Sequence, residues 1–464
     1  MKILYASHLF LPKYYGGTEV YTYNIASEMK RRGPDVHVLA CESFKTGKRN
    51  EVRANDDVYG DLKVHRVFLN IMLMDDPVRA EYFNPYVERH LIDYYSKIRP
   101  DIIHAHHFGY LSTAVFTAAQ KLHIPTAFTA TDFWLVCPNS QLLRWNGTLC
   151  EGPTNIADCL RCYTHLSNRA RKYRWLTKAL PDEILNRLVR AAIHLASKPI
   201  WQFRVLKAAG SRAEWNREVF NSVGLFISPS KFLESMFVRN GLNNPGQLNI
   251  PFGVRSPLLE TSSQKTPSPI LRFGFIGTIS KHKGLHILIE AFRELSQDEP
   301  AKLRVYGSLE FDPPYGSKIR QLATGDPRIE FAGTFPHQQM TEVFREIDVL
   351  IVPSNWYENT PLVVYSALAM ETPVICSNLG GMAEIVHHGE NGLTFEAGSP
   401  RALCGRMHEL LNDRSLVERL RPDRTKVHTV EHNVDQLEGA YADLLGREMT
   451  SNSPIIRSAA VAPR

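Results

Sequence analysis

The densest run of residues able to do chemistry is PSNWYENTPLVVYSALAMETPVICSNLGGMAEIVHHGENGLTF, at 353–395. A polar, Pro-bounded loop lies there between an apolar strand and a helical stretch. The free N–H groups of Asn359, Thr360, Leu362 and Val363, around Pro361, can therefore face an anion at the helix start. A pyrophosphate suits that geometry. Glu358 precedes the helix, where a carboxylate near phosphate is repelled unless hydroxyl groups donate to it. A sugar ring supplies such hydroxyls. Earlier in the chain, Gly16 and Gly17 form a strand-to-helix turn at which a ligand can approach the backbone closely. Glu19, in the helix's first turn, either complements its dipole or faces a cleft. His104, His106 and His107 end the strand DIIHAHH, the first two facing one way and the third the other. They read as hydrogen-bonded strand-end groups or, less simply, as a three-His metal site.

Cys137, Cys150, Cys159 and Cys162 have the spacing C-x12-C-x8-C-x2-C. Such a set can close a tetrahedral structural zinc site, and the alternative is that some are small buried hydrophobes. Cys41, Cys376 and Cys404 are scattered, and a secreted disulfide framework is not expected from this odd set. Beyond the cluster, Arg161, Arg169, Arg171, Lys172, Arg174, Lys178, Arg187, Arg190, Lys198, Arg204, Lys207 and Arg212 face only Asp182 and Glu183, interleaved with Tyr173, Trp175, Trp201 and Phe203. The segment reads either as an anionic-membrane or lipid-pyrophosphate surface or as a solvated helical hairpin. No nucleic-acid partner is expected.

The elements that must position these groups alternate strand and helix. KILYAS, VHVLA, DIIHAHH and TAFTATDF read as strands of one doubly wound parallel sheet, and LRFGFIG, KLRVYG, IEFAG, DVLIV and PVICS as a second. TSSQKTPSP, at 261–269, has linker composition. The expected organisation is a domain over 1–260 with the Cys-rich loop and basic insert at 137–212, and a domain over 270–430. A helix over 431–447 and a disordered tail over 448–464 complete it. With 44% hydrophobic and 22% charged residues and net charge +6, the chain has the balance of a globular protein. No stretch approaches the about 18 apolar residues of a membrane span. The start reads as a strand rather than a signal peptide, in a cytoplasmic protein.

The segment 353–395 resembles the donor motif of family 4 retaining glycosyltransferases, with its PS-x-x-E start, PVI strand and GG-x-x-E turn, and the resemblance extends over nearly the whole chain. It implies the GT-B architecture, two Rossmann-like domains facing across a cleft. It also implies that Glu358 holds donor-sugar hydroxyls and that position 366 meets the ribose. That position is Ser366 here, where the family has Glu. FGFIG-TISKHKG is similar to the family's phosphate-binding segment, which implies Gly277 at the strand end and Lys283 as the cation on the pyrophosphate. Thr278 replaces a frequent Arg, and Lys281 or His282 are candidates to supply that charge. TATDF resembles the stretch in which a His-Asp follows Thr. Thr131 stands at the His position, leaving Asp132 and His107 as cleft residues.

The expected activity is transfer of a sugar from a UDP- or GDP-linked donor to a glycan or lipid-linked acceptor, at the inner membrane face, without a catalytic metal. The alternatives are a non-catalytic GT-B nucleotide- or glycan-binding protein, or an epimerase or phosphorylase on the same architecture. No G-x-G-x-x-G follows a strand with an acid about 20 residues on, which argues against a nicotinamide dehydrogenase.

Overall fold

The computed structural model describes residues 1–44, 47–153, 155–166, 171, 174–194 and 201–451. The first sheet contains β1 (Lys2–Ala6), β2 (Asp35–Ser43), β3 (Val52–Tyr59), β4 (Leu62–Leu69), β5 (Ile102–Ala105), β6 (Thr126–Thr129), β7 (Leu225–Ser228) and β8 (Gln247–Asn249), in the order β3-β4-β2-β1-β5-β6-β7-β8. The second contains β9 (Leu271–Ile276), β10 (Ala301–Tyr306), β11 (Ile329–Gly333), β12 (Val349–Val352), β13 (Val374–Ser377) and β14 (Gly392–Phe395), in the order β11-β10-β9-β12-β13-β14. Short apolar runs such as β5, β6, β7 and β12 are buried throughout, as strands covered on both faces require.

One strand departs from the all-parallel expectation. β3 is antiparallel to β4 and forms the sheet edge. Its sequence, VRANDDVY, is largely exposed and polar, which suits an edge but hides it from a search for apolar runs. A tight turn at Gly60, with φ 61°, makes the reversal.

In each sheet the winding reverses beside one strand. β1 lies between β2 and β5, and β9 between β10 and β12. At such a reversal the loops after neighbouring strands diverge and leave a crevice at the carboxyl ends, where ligands of open α/β sheets bind. One continuous apolar cluster joins β1 and the helix Gly17–Arg31 to β12, the helix Leu362–Ala369 and the C-terminal helix. The two domains therefore share part of their core.

The chain crosses between the domains twice, and the crossings touch. Val254 N–H donates to His428 O at 3.0 Å and Val430 N–H to Val254 O at 2.8 Å. Gly253 permits the contact, since a Cβ there would lie 2.2 Å from the Thr429 carbonyl carbon. The 261–269 stretch is pinned, because the Lys265 amine is held by Phe344 O and Thr372 Oγ1, and burial pulls its pKa down to about 7.

After the second crossing, the helix Val430–Ser451 returns to the first domain. Arg32 pairs with Asp435 at 2.5 Å and Glu438 at 2.8 Å, and Tyr441 OH meets Tyr5 OH at 3.3 Å. This helix outruns the expected 431–447, so 448–451 are helical rather than disordered tail. Buried Leu444 anchors the turn just before them. Residues 452–464 lie outside the described residues.

The insert between β6 and β7 forms helices Ile156–Leu166, Arg174–Ala179, Asp182–His194 and Trp201–Asn221. Two of its cations are internal: Arg161 pairs with Asp158 and Asp182, and Arg212 is buried. Arg169, Lys172, Tyr173 and Lys198 lie outside the described residues. Among the described residues, no helix is long and apolar enough to cross a membrane.

Candidate active site

The crevice of the second sheet is built by the loops leaving β9 and β12. β9 runs into Gly277, where a Cβ would meet nothing nearer than the Phe275 ring at 3.8 Å. The fold's own packing thus leaves room at this glycine. Gly284 has φ 72°, and a Cβ there would lie 1.9 Å from Pro353 O, so only glycine lets the 281–284 turn rest on the loop after β12. That close approach delivers Lys283 Nζ to Glu358 Oε1 at 2.6 Å. Ser354 Oγ at 2.7 Å and Trp356 Nε1 at 2.8 Å donate to the same oxygen. Among the described residues none donates to Oε2, which is left to accept from a bound hydroxyl. Burial pushes the Glu358 carboxyl up, but the Lys283 charge and these three hydrogen bonds outweigh it and hold the group below the usual glutamate range.

Lys283 lies 5.3 Å from the centre of the Trp356 ring, and His282 packs edge-on to the same indole. Burial and the Lys283 charge lower the His282 pKa to about 4. It is therefore neutral near pH 7.

The glycine pair after β13 locks the Glu358 loop. A Cβ on Gly380 would come within 2.6 Å of Glu358 O, and one on Gly381 within 1.6 Å of Asn359 O, while Gly381 N–H donates to Glu358 O at 2.8 Å. The Asn359 side chain reaches across the cleft, accepting from Ser230 Oγ at 2.9 Å and donating to Ala130 O at 3.3 Å. Thr360 is buried, and Pro361 precedes the helix Leu362–Ala369, whose first N–H groups include Leu362 and Val363. Ser366 Oγ donates to Leu362 O at 3.1 Å within its own helix, so toward a ligand it can only accept.

The crevice of the first sheet is made by the loops after β1, β5 and β6. A Cβ on Gly17 would find open space, whereas one on Gly16 would lie 2.3 Å from Glu19 Oε2. Glu19, buried, stands 3.5 Å from His8 Nε2, and the His8 ring packs on His107 with centroids 4.0 Å apart. His107 Nδ1 accepts the Gly109 N–H at 3.0 Å, so its proton sits on Nε2, 2.9 Å from Asp132 Oδ2. The other Asp132 oxygen accepts the Trp134 N–H at 2.8 Å. Burial drives His8 well below the usual histidine pKa and raises that of Glu19. Thr131 Oγ1 donates to His106 O at 3.0 Å and accepts from Thr18 at 2.9 Å. His104 lies between Tyr441 and Thr129, and His106 Nδ1 meets Thr22 Oγ1 at 2.9 Å. Both rings are buried and neutral, as hydrogen-bonded strand-end groups.

With this geometry in view, the family model described as Glycosyltransferase Family 4 matches residues 15–245, and that described as Glycosyl transferases group 1 matches residues 271–413. The chain belongs to the family 4 glycosyltransferases. Spore coat protein SA of Bacillus subtilis (strain 168) is 29% identical over 153 residues, 32% of this chain and 41% of that protein. The capsular polysaccharide biosynthesis glycosyltransferase CapM of Staphylococcus aureus is 30% identical over 161 residues, 34% of this chain and 42% of CapM. These matches span about two fifths of the length of either curated relative. Among solved structures, Anabaena Alr3699/HepE in complex with UDP and glucose is similar at TM-score 0.60 and 15% identity, covering 95% of this chain and 99% of that one. The likeness is one of fold, the GT-B architecture.

In this member of family 4, Lys283 and Glu358 come together in one crevice and His107 and Asp132 in the other, with Asn359 linking the two. Sequence reasoning missed His8, a lone histidine after a strand, because nothing local marks its contact with His107. It also missed that Glu384, the acid of GG-x-x-E, accepts the N–H groups of Lys231 and Phe232 and so caps a helix of the other domain.

Proposed function

We propose that this chain transfers a sugar from a UDP- or GDP-linked donor to a glycan or lipid-linked acceptor, with retention at the anomeric carbon. The observation that carries the reading is the ion pair of half-buried Lys283 with buried Glu358 at the β9/β12 crevice. An ammonium has three donors and a carboxylate several acceptor positions. A donor can therefore place its pyrophosphate on Lys283 and its sugar hydroxyls on Glu358 while the pair stays in contact. Negative charge grows on the leaving diphosphate as the glycosidic bond breaks. Lys283, with the N–H groups of Leu362 and Val363, opposes it from fixed positions, which lowers the barrier without a metal in the step. Retention rests on kinship, supported by the absence of a free imidazole base at His107, whose two nitrogens are both engaged.

The HepE complex with UDP and glucose supports a nucleotide-sugar donor, and the name of CapM supports an extracellular polysaccharide as the product class. A membrane-borne acceptor is supported by the insert. Trp175, Leu176, Ile184 and Leu188 are exposed there beside exposed Arg171, Arg174, Lys178, Arg187 and Arg190, an arrangement suited to anionic lipid at the inner membrane face. A second reading, a non-catalytic nucleotide or glycan binder, is favoured by the Ser366 and Thr131 hydroxyls, both turned onto backbone carbonyls.

A panel of nucleotide sugars tests the donor reading. The true donor at 100 times its Kd adds about 2.7 kcal/mol to stability. Release of UDP or GDP with an acceptor distinguishes transfer from binding, and no stabilisation by any nucleotide sugar would reject the donor site.

A further inference from the structure

The segment after Asp132 folds around sulfur. Leu143 pairs with Leu149 in a hairpin, and Cys150 N–H donates to Leu142 O at 2.8 Å, bringing Cys150 back toward Cys137. The helix Ile156–Leu166 presents Cys159 and Cys162 one turn apart on one face. All four line a single pocket with Arg144 and Asp158. Backbone N–H groups point at three of the sulfurs: those of Asn139 and Leu142 at Cys137, that of Gly152 at Cys150 (3.4 Å), and that of Trp145 at Cys162.

A second observation is independent of the cysteine spacing. Arg212 is buried, stacks over Trp134 at 4.9 Å, and donates to Trp134 O and Leu135 O. Among the described residues no carboxylate is paired with it. A buried cation without a counter-charge is costly, and the ionisable groups acting on it most strongly are Cys137 and Cys159.

We propose that this pocket is a structural zinc site closed by Cys137, Cys150, Cys159 and Cys162. Zn2+ displaces the four thiol protons to solvent, and the resulting tetrathiolate centre carries two net negative charges. Arg212 offsets one of them across the pocket wall. As placed, no three His, Cys, Asp or Glu side chains among the described residues stand close enough to hold an ion, so the thiols ring the pocket and the metal draws them inward. With four protein ligands there is no open position for catalysis. The centre fixes the loop that carries Asp132 and Trp134.

The test uses the full chain purified under reducing conditions. The expected result is about one zinc per chain, released as a mercurial titrates about four thiols. Cobalt in its place should give the spectrum of a tetrahedral tetrathiolate. Cys159→Ser with Cys162→Ser should lose the metal, and because that variant can fail to fold, the wild-type titration stands without it. Metal-free protein with four freely alkylated thiols, a mass deficit of two disulfides, or zinc retained after full alkylation would each overturn the proposal.

Discussion

At the ends of β9 and β12 a lysine and a glutamate meet as full opposite charges, whereas at the ends of β1, β5 and β6 two carboxylates stand against imidazoles that burial keeps neutral or that hydrogen bonds fix in one tautomer. Both crevices are buried, so desolvation acts on each. What differs is the partner. Beside Lys283, Glu358 stays ionised despite burial. Beside His8, Glu19 is pushed toward its neutral form. A crevice of full charges suits a charged diphosphate, and one of hydrogen-bonded rings suits orienting a hydroxyl acceptor.

The largest effect is expected from removing either full charge. Lys283→Ala and Glu358→Ala should each cut transfer by about tenfold or more, the loss of one charge-assisted bond of about 1.5–3 kcal/mol. Their stabilities should differ. Lys283→Ala strands a buried carboxylate, whereas Glu358→Ala leaves an amine that is 26% exposed and can hydrate. Breaking a buried pair costs about 3–5 kcal/mol, with the lower end apt for this partly open site. Equal denaturation midpoints for the two variants would remove the contrast between the crevices.

Acid should weaken the fold in two stages. His282 titrates near 4 in the folded chain against about 6.5 unfolded, so the unfolded state binds the proton first. Stability is therefore lost as pH falls from about 6.5 toward 4, and His282→Gln should make that stage of a Tm profile shallower, the remainder coming from buried His8, His104 and His106. Glu358, whose folded pKa is depressed, contributes above the ordinary glutamate range of about 4.3 and loses its contribution as pH falls below it. Glu358→Gln should flatten only this second stage.

A smaller change is expected in the first crevice. Asp132→Asn leaves one acceptor oxygen where His107 Nε2 and the Trp134 N–H use two, and should slow transfer by about fivefold, one hydrogen bond of about 1 kcal/mol, with little change in Tm. Unchanged kinetics would make that crevice purely structural. Outside both crevices, Arg171, Arg174 and Lys178 changed together to Gln should reduce sedimentation with anionic vesicles, each group being worth about 1 kcal/mol near the surface. Nucleotide binding should stay the same.

Both doubly wound sheets were legible in the sequence because buried parallel strands are short apolar runs between helices, a local pattern. Glu358 and Lys283 were legible because each sits at a strand-to-helix turn, but their contact was not, since 75 positions separate them. Still larger separations hide His8 beside His107 and Glu384 on the helix Lys231–Arg239. Ser366 could be named as a departure, yet its bond to Leu362 O depends on a rotamer that no spacing reveals. β3 escaped because its residues are polar and its pairing comes from the turn at Gly60.

The meeting of the two crossings at Val254 and Thr429 has a mechanical consequence. Two links set far apart would brace the domains like parallel struts, and the lips of the cleft would resist any approach. Links laced together beside Gly253 act as a single pivot. Both lips are then arms of one lever, clasped across the cleft where Asn359 reaches Ala130.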